Sequence, residues 1–208
     1  MKLYPIQSTK YIYSFDMHDI YSNREAEDQQ IVDFFERQAN SHTNNYESNV
    51  RGWRTNWNAH LEYPILKGLL RDITQTVIAL NHPYVKNDHS NIILKDSWVN
   101  VQKGNSADFV ESHYHGNLTI SFTYYLKTDE NSSPFRAHSA SMPSFSGAQI
   151  ISRSEIKTKS GELLLFDPEL VHDVVPSISD RIVFAGNLLI YENPNEYSVS
   201  LMEYLNEA

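Results

Sequence analysis

The second half of the chain constrains the fold more than any other part of the sequence. After about residue 91 it consists of short segments rich in Ile, Val, Phe, Tyr, Thr and Trp, at 92–102, 109–126, 149–156, 162–166, 173–175 and 181–191. Turn residues bound these segments, and no helical period persists through them. Many short strands separated by turn signals are typical of an antiparallel sandwich or barrel. The fold is therefore predicted to be mainly β.

The first 90 residues carry the helical signals. Residues 24–39 combine an acidic start with apolar side chains on one face, which is typical of an amphipathic helix. A second helix opens at Pro64 and repeats Leu, Ile and Val at three- and four-residue steps until residues 81–83 end it. Residues 3–15 mix Tyr, Ile and Thr with a proline, which favours an edge strand. We expect the helices to pack outside the β structure.

The organisation along the chain predicts a single domain. No interdomain linker, internal repeat or low-complexity tract interrupts the 208 residues. Residues 1–90 are expected to buttress a β core formed by residues 91–192. Residues 131–146, with their Ser, Pro and Phe, predict a long loop over one mouth of that core.

Composition excludes several functional classes. The absence of cysteine removes disulfides, iron–sulfur clusters and thiol catalysis, so that any metal must be bound by His, Asp or Glu. The glycines are too widely spaced for the glycine-rich loops that bind dinucleotides or phosphates. The net charge of −9 argues against general binding to nucleic acid or to an anionic membrane. No apolar run approaches the roughly 20 residues of a membrane span, and the first residues lack a signal peptide, so a cytoplasmic location is expected.

One cluster of residues can carry metal chemistry. His113 and His115 are two apart in a β-like segment, so alternation places both imidazoles on one face, where they can bind one ion. His172 is a third candidate ligand, and Arg181 opens an apolar strand nine residues later. Burying the charge of an arginine is energetically costly unless an anion pairs with it. Two other readings stay open: the histidines serve packing alone, or Arg181 pairs at the surface with a neighbouring acid.

These residues occur in an order that resembles the Fe(II)- and 2-oxoglutarate-dependent oxygenases of the double-stranded β-helix fold. The likeness is greatest to the subfamily with the pattern H-x-H, S-x-x-Y-Y/Y-L, G-x-L-x-x-F, H-x-V-x-P and R-I-x-x-x-x-N. This sequence supplies HYH at 113–115, SFTYYL at 121–126, GELLLF at 161–166, HDVVP at 172–176 and RIVFAGN at 181–187. SNVRGW at 48–53 resembles an upstream segment of the same subfamily, so the likeness spans most of residues 48–189.

The resemblance implies a fold and a set of cofactors. It implies a jelly-roll, cupin-like barrel with the N-terminal helices packed outside. Within it, His113, His115 and His172 would be the catalytic metal ligands for Fe(II), and Arg181 would bind the 5-carboxylate of the co-substrate 2-oxoglutarate. If the strand stays regular beyond Gly116, further polar side chains near the co-substrate include those of Asn117, Ser121 and Tyr125. Asn187 is assigned to the same co-substrate site.

The sequence departs from the wider superfamily at two positions. His115 occupies the place of the carboxylate in the two-histidine, one-carboxylate triad, which removes one negative charge from the ligand set. Glu111, on the same face as His113, is the best local carboxylate if one is required. Val183 stands where a serine that helps to hold the co-substrate is common.

The leading functional hypothesis is a non-haem Fe(II)- and 2-oxoglutarate-dependent dioxygenase that oxidises a C–H bond of a second, unidentified substrate. Two alternatives remain. One is a cupin-like metal enzyme that does not use 2-oxoglutarate, although the Glu expected after H-x-H in cupins is absent from residues 117–126. The other is a non-catalytic jelly-roll binding module. Expected partners are 2-oxoglutarate, dioxygen and the second substrate, and the sequence is compatible with a homo-oligomer.

Overall fold

The computed structural model describes residues 2–5, 11–41, 49–81, 85, 91–140, 150–191 and 201–206. Eleven β-strands lie in these residues and form two antiparallel sheets. The strands are β1 Lys2–Pro5, β2 Tyr11–Asp16, β3 Trp53–Arg54, β4 Ile92–Gln102, β5 Val110–His113, β6 Ile120–Lys127, β7 Phe135–Ala140, β8 Ile150–Ile156, β9 Glu162–Phe166, β10 Val171–Val174 and β11 Arg181–Ile190. The larger sheet has the order β1-β2-β9-β6-β11-β4-β3, and the smaller has the order β5-β10-β7-β8. The prediction of a mainly β fold with flanking helices is confirmed.

The helices cover one face of the larger sheet. They are α1 Met17–Ile20, α2 Arg24–Ser41, α3 Ala59–Glu62, α4 Lys67–Ala79, which follows a single 3₁₀ turn at Pro64–Leu66, and α5 Leu201–Asn206. The apolar stripes of α2 and α4 pack against sheet residues such as Phe122 and Leu163 in one core. Both helices predicted from the sequence are confirmed. Within the described residues, none of the helices is both long and apolar enough to cross a membrane.

Alternation along the strands of the larger sheet separates the helix-covered core from a second core between the sheets. Phe122 and Tyr124 of β6 face the helices, whereas Tyr125 packs with Phe135 and Phe166 in the second core. Because successive side chains point to opposite faces, one face of these strands packs against the helices and the other lines the space between the sheets.

A bulge in β4 sets which side chains face that space. Asn187 of β11 pairs with Asp96 and the next residue, Leu188, pairs with Leu94, so that Lys95 is an extra residue on β4. Leu94 lies in the helix-side core, and without the bulge Asp96 would share its face. With the bulge, Asp96 lines the space between the sheets instead.

Three strand predictions need correction. Residues 109–126 form two strands, β5 and β6, in different sheets, because the chain turns between them at Gly116, which has a φ of 80°. Residues 3–15 form two paired strands, and only β1 is at an edge, since β2 also pairs with β9. The predicted loop at 131–146 contains strand β7, while its residues 141–146 lie outside the described part of the chain.

Candidate metal centre

The three histidines lie together at one edge of the smaller sheet. His113 ends β5, and His172 of β10 is its partner across the antiparallel pair. His115 follows two residues later, and its backbone N–H donates to the carbonyl of Pro168 at 2.7 Å. One ring nitrogen from each histidine lies within 4.8 Å of the others, and Nε2 of His115 is 3.4 Å from Nε2 of His172. The structure therefore brings together the three side chains that the sequence analysis selected.

Backbone carbonyls orient two of the three rings. Nδ1 of His113 is 2.7 Å from the carbonyl oxygen of Glu111, and Nδ1 of His172 is 2.8 Å from that of Leu170. Since a carbonyl can only accept, both Nδ1 atoms carry the proton. The lone pair of each Nε2 is left free to bind a cation, which is the arrangement that an acceptor on Nδ1 gives to metal-bound histidines.

Burial keeps these imidazoles neutral. It lowers the pKa of His115 to about 4, lowers that of His113 below its usual value, and takes that of His172 well below it. The proximity of the rings contributes further, because a charge on one opposes protonation of its neighbours. Three neutral imidazoles at neutral pH are the protonation state that metal binding requires.

Aromatic rings hold the histidines in place. The ring of His115 stacks on Trp98 at 5.7 Å between centroids and on His172 at 5.1 Å. Phe135 stacks on His172 at 5.1 Å, and Phe166 meets His172 edge-on at 5.0 Å. These contacts limit rotation of the rings and exclude water from one side of the cluster.

The histidines open into a cavity of about 350 Å³ that also contains Arg181. Arg181 is 2% exposed, and its Nη1 donates to Oε1 of Gln102 at 2.6 Å. Among the described residues its Nε has no hydrogen-bond partner, and no ion pair with a carboxylate is found. Among the described residues, Arg181 thus does not form the surface ion pair that the sequence left open. Asp180 lies near Lys103 and Lys127 instead, and Asp173 contacts Arg136 and His138.

The other predicted site residues take different positions. Asn187 lines the cavity and accepts a 2.6 Å hydrogen bond from Ser121, which lies behind it. Tyr125 is buried below Arg181, whose guanidinium carbon is 5.0 Å from the ring centroid. Asn117 is exposed in the turn between β5 and β6 and does not line the cavity. The side chain of Glu111 is exposed, and its Oε1 is 3.7 Å from Nη2 of Arg51.

The sequence analysis missed the contribution of β4. Asp96, Trp98 and Asn100 line the cavity, and Gln102 contacts Arg181 at one end of it. Trp57, which is 46% exposed, lies edge-on to Trp98 at 4.9 Å. The signal was present in DSWVNVQ at 96–102, where polar or aromatic residues alternate with Ser and Val.

Comparisons with known proteins give one family match, over part of the chain. Residues 96–187 match the model of a family described as "Putative 2OG-Fe(II) oxygenase". No curated protein matches the chain significantly.

Several solved structures share the fold. The viral collagen prolyl hydroxylase of Paramecium Bursaria Chlorella virus-1, in complex with 2-oxoglutarate, is 14% identical with a TM-score of 0.57, covering 88% of this chain and 98% of that one. A prolyl-4-hydroxylase of Pseudomonas putida is 13% identical with a TM-score of 0.59, covering 88% and 95%. HygX of Streptomyces hygroscopicus, with nickel and 2-oxoglutarate bound, is 13% identical with a TM-score of 0.57, covering 86% and 82%. Residues 96–187, less than half of the chain, thus match the 2OG-Fe(II) oxygenase family, and the solved structures show that the chain shares their fold.

Proposed function

We propose that this protein is a hydroxylase that couples the oxidative decarboxylation of 2-oxoglutarate to the oxidation of a C–H bond in a second substrate. His113, His115 and His172 would hold Fe(II), and Arg181 would hold 2-oxoglutarate. The observation that supports this best is one cavity containing both a cluster of three neutral imidazoles and a buried guanidinium without a carboxylate partner among the described residues.

The donor set fits a divalent transition metal. Imidazole nitrogen is a common ligand of iron, and three of them on one side of an ion leave other positions open for small ligands. Both Nε2 atoms with assigned lone pairs belong to residues on paired strands, so the strand register itself brings them together. The bound metal would supply the activation of dioxygen, which no side chain of this protein can provide.

The other end of the cavity fits the distal carboxylate of 2-oxoglutarate. Arg181 offers N–H donors there, and burying its charge is costly unless an anion meets it. Nε of Arg181, Nε2 of Gln102 and the hydroxyl of Tyr125 all lack hydrogen-bond partners among the described residues. A carboxylate bound beside Arg181 would accept from such donors and offset the cost of leaving them unsatisfied.

The outer part of the cavity would receive the second substrate. Trp57 and Tyr114, which are 46% and 64% exposed, line the cavity on the side of the histidines. Exposed aromatic side chains at a cavity mouth provide flat contact area at a low entropic cost. Two of the solved structures that share the fold are prolyl hydroxylases.

Anaerobic addition of Fe(II) and then 2-oxoglutarate tests the proposal. We expect a weak visible metal-to-ligand charge-transfer band that requires both additions and that is absent from His113→Ala. Arg181→Ala should keep Fe(II) binding but weaken 2-oxoglutarate binding by a factor on the order of 100, because a buried charge-assisted contact is lost. The matched control is Arg153→Ala, since Arg153 is half exposed and paired with Glu155 at 2.9 Å.

Three outcomes would count against the proposal. If the wild type binds no Fe(II), the protein is a binding module. If it binds Fe(II) without the band, it is a metal enzyme of another type. If Arg153→Ala and Arg181→Ala weaken the binding of 2-oxoglutarate equally, Arg181 does not bind the co-substrate.

A further inference from the structure

A centre made of three histidines lacks the negative ligand that usually accompanies Fe(II) in this superfamily. Neutral imidazoles contribute no charge to offset a divalent cation. Glu111, the carboxylate that the sequence favours for this purpose, is 51% exposed at its side chain and lies 3.7 Å from Arg51. Among the described residues that line the cavity, Asp96 is the one acidic side chain.

Hydrogen bonds connect Asp96 to the third histidine. Nδ2 of Asn187 donates to Oδ1 of Asp96 at 2.6 Å, and the same Nδ2 is 3.4 Å from Nδ1 of His115. Ser121 donates to Oδ1 of Asn187 at 2.6 Å, which fixes the orientation of the amide. The carboxylate is therefore separated from a candidate metal ligand by a single side-chain amide.

A buried arginine increases the need for this carboxylate. Arg54 is 1% exposed, and its guanidinium carbon lies 3.5 Å above the ring of Trp57 and 5.4 Å from that of Trp98. Burial raises the pKa of Asp96, and the positive charge of Arg54 acts in the opposite direction. Trp98 in turn stacks on the ring of His115, at 5.7 Å between centroids. The field of this cation thus extends to the histidine cluster, where it disfavours a second cation.

We propose, on the basis of the function proposed above, that Asp96 supplies from outside the ligand set the negative charge that the three-histidine centre lacks. It acts through its charge: the carboxylate, one amide away from His115, lowers the electrostatic cost of placing a divalent cation near Arg54. The bulge at Lys95 is the structural device that turns Asp96 toward the cavity. Removal of the direct hydrogen-bond partners of metal ligands weakens metal binding by about 10- to 100-fold, and Asp96 lies one side chain further out.

Titration of the metal-free protein with Co(II), followed by the visible absorbance of the bound ion, tests the inference without requiring turnover. We expect Asp96→Asn, which keeps the shape of the side chain, to weaken Co(II) binding by about tenfold or more. Asp96→Glu restores the charge and should recover most of the affinity. Glu111→Gln removes the other nearby carboxylate and should leave the affinity unchanged. Urea unfolding of each metal-free variant checks that it is folded, and Asp96→Ser replaces Asp96→Asn if the latter is not.

The outcomes separate this inference from the function on which it rests. If wild-type protein binds Co(II) and Asp96→Asn binds it equally well, the inference is wrong and the proposed function stands. The inference also fails if Asp96→Glu binds no better than Asp96→Asn, or if Glu111→Gln loses as much affinity as Asp96→Asn. If the wild type binds no Co(II), or if its binding survives His172→Ala, the metal centre itself is wrong.

Discussion

Two consecutive tyrosines in β6 show how one residue step separates stability from function. Tyr124 faces the helices and donates its hydroxyl hydrogen to Asp28 of α2. Tyr125 faces the space between the sheets, close to Arg181, and its hydroxyl has no hydrogen-bond partner among the described residues. Burial raises the pKa of Tyr125, and the charge of Arg181 acts against that rise. Both phenols are therefore neutral donors at neutral pH, but they serve different neighbours.

Replacing each tyrosine by phenylalanine should separate the two roles. Tyr124→Phe removes one donor from the buried carboxylate of Asp28, so we expect the free energy of unfolding to fall by about 1.5–3 kcal/mol while 2-oxoglutarate binding is unchanged. Tyr125→Phe removes a hydroxyl without a described partner, so the free energy of unfolding should change by less than about 1 kcal/mol. Its affinity for 2-oxoglutarate should fall by about tenfold, because a donor to the co-substrate is lost.

Urea unfolding and titration with 2-oxoglutarate in the presence of Fe(II) under anaerobic conditions measure the two effects. A loss of stability in Tyr125→Phe comparable with that in Tyr124→Phe would show that its hydroxyl has a structural role. An unchanged affinity for 2-oxoglutarate would remove Tyr125 from the co-substrate site.

At the scale of elements, a buried charge network joins the helices to the sheet. Arg24 of α2 donates through Nε to Asp28 and through Nη1 to Asp72 of α4, both at 2.9 Å. The second oxygen of Asp28 also contacts Nε2 of His18, at 2.9 Å. Arg24 is 1% exposed, and its charge offsets that of both carboxylates. The network fixes how α2 and α4 lie on the sheet that carries β4, β6 and β11.

We expect Arg24→Met to lower the free energy of unfolding by about 3–5 kcal/mol, because it leaves Asp28 buried without its cation. The double variant Arg24→Met with Asp28→Leu should be more stable than Arg24→Met alone, since replacing both partners removes the uncompensated charge. Urea unfolding of the two single variants and the double variant gives the coupling energy. A double variant that loses the sum of the single effects would show that Arg24 and Asp28 act independently.

The elements also show what the sequence could predict. Both long helices, β4 and β9 follow from local periodicity, and their limits agree with the structure to within a few residues. The break between β5 and β6 was harder to place, because it depends on the left-handed conformation at Gly116 rather than on a change in side-chain pattern. The inward direction of Asp96 depends on a bulge that is defined only by the partner strand β11. The candidate ligands could be selected from spacing and resemblance, whereas their shared cavity with β4 required the pairing of the strands.

At the scale of the whole molecule, the fold keeps four imidazoles neutral by burying them wholly or in part. Three belong to the candidate metal centre. The fourth is His60, whose Nδ1 lies 2.9 Å from the hydroxyl of Ser97. Burial lowers the pKa of His60 to about 4, as it does for His115, and also lowers the values of His113 and His172. An unfolded chain would titrate all four near a pKa of about 6.5.

The metal-free protein should therefore lose stability as the pH falls below about 6.5. The unfolded chain then binds protons that the folded protein does not accept, and each such histidine contributes up to about 1.4 kcal/mol per pH unit until its folded pKa is reached. This contribution is complete above the unfolded pKa and is lost toward pH 4. Urea unfolding at pH 7.5, 6.5 and 5.5 measures the slope, and carboxyl groups titrate mostly below that window.

Two variants distinguish the histidines of the core from those of the metal centre. His60→Gln should reduce the pH slope by up to about 1.4 kcal/mol per unit while leaving the stabilisation by Co(II) unchanged, because His60 contacts Ser97 rather than the cavity. His172→Ala should abolish the stabilisation by Co(II). In the wild type that stabilisation should shrink only toward pH 4, where the folded imidazoles begin to take up the protons that compete with the metal. A free energy of unfolding that stays constant between pH 7.5 and 5.5 would mean that these four rings take up protons as easily in the folded protein as in the unfolded chain, contrary to their burial.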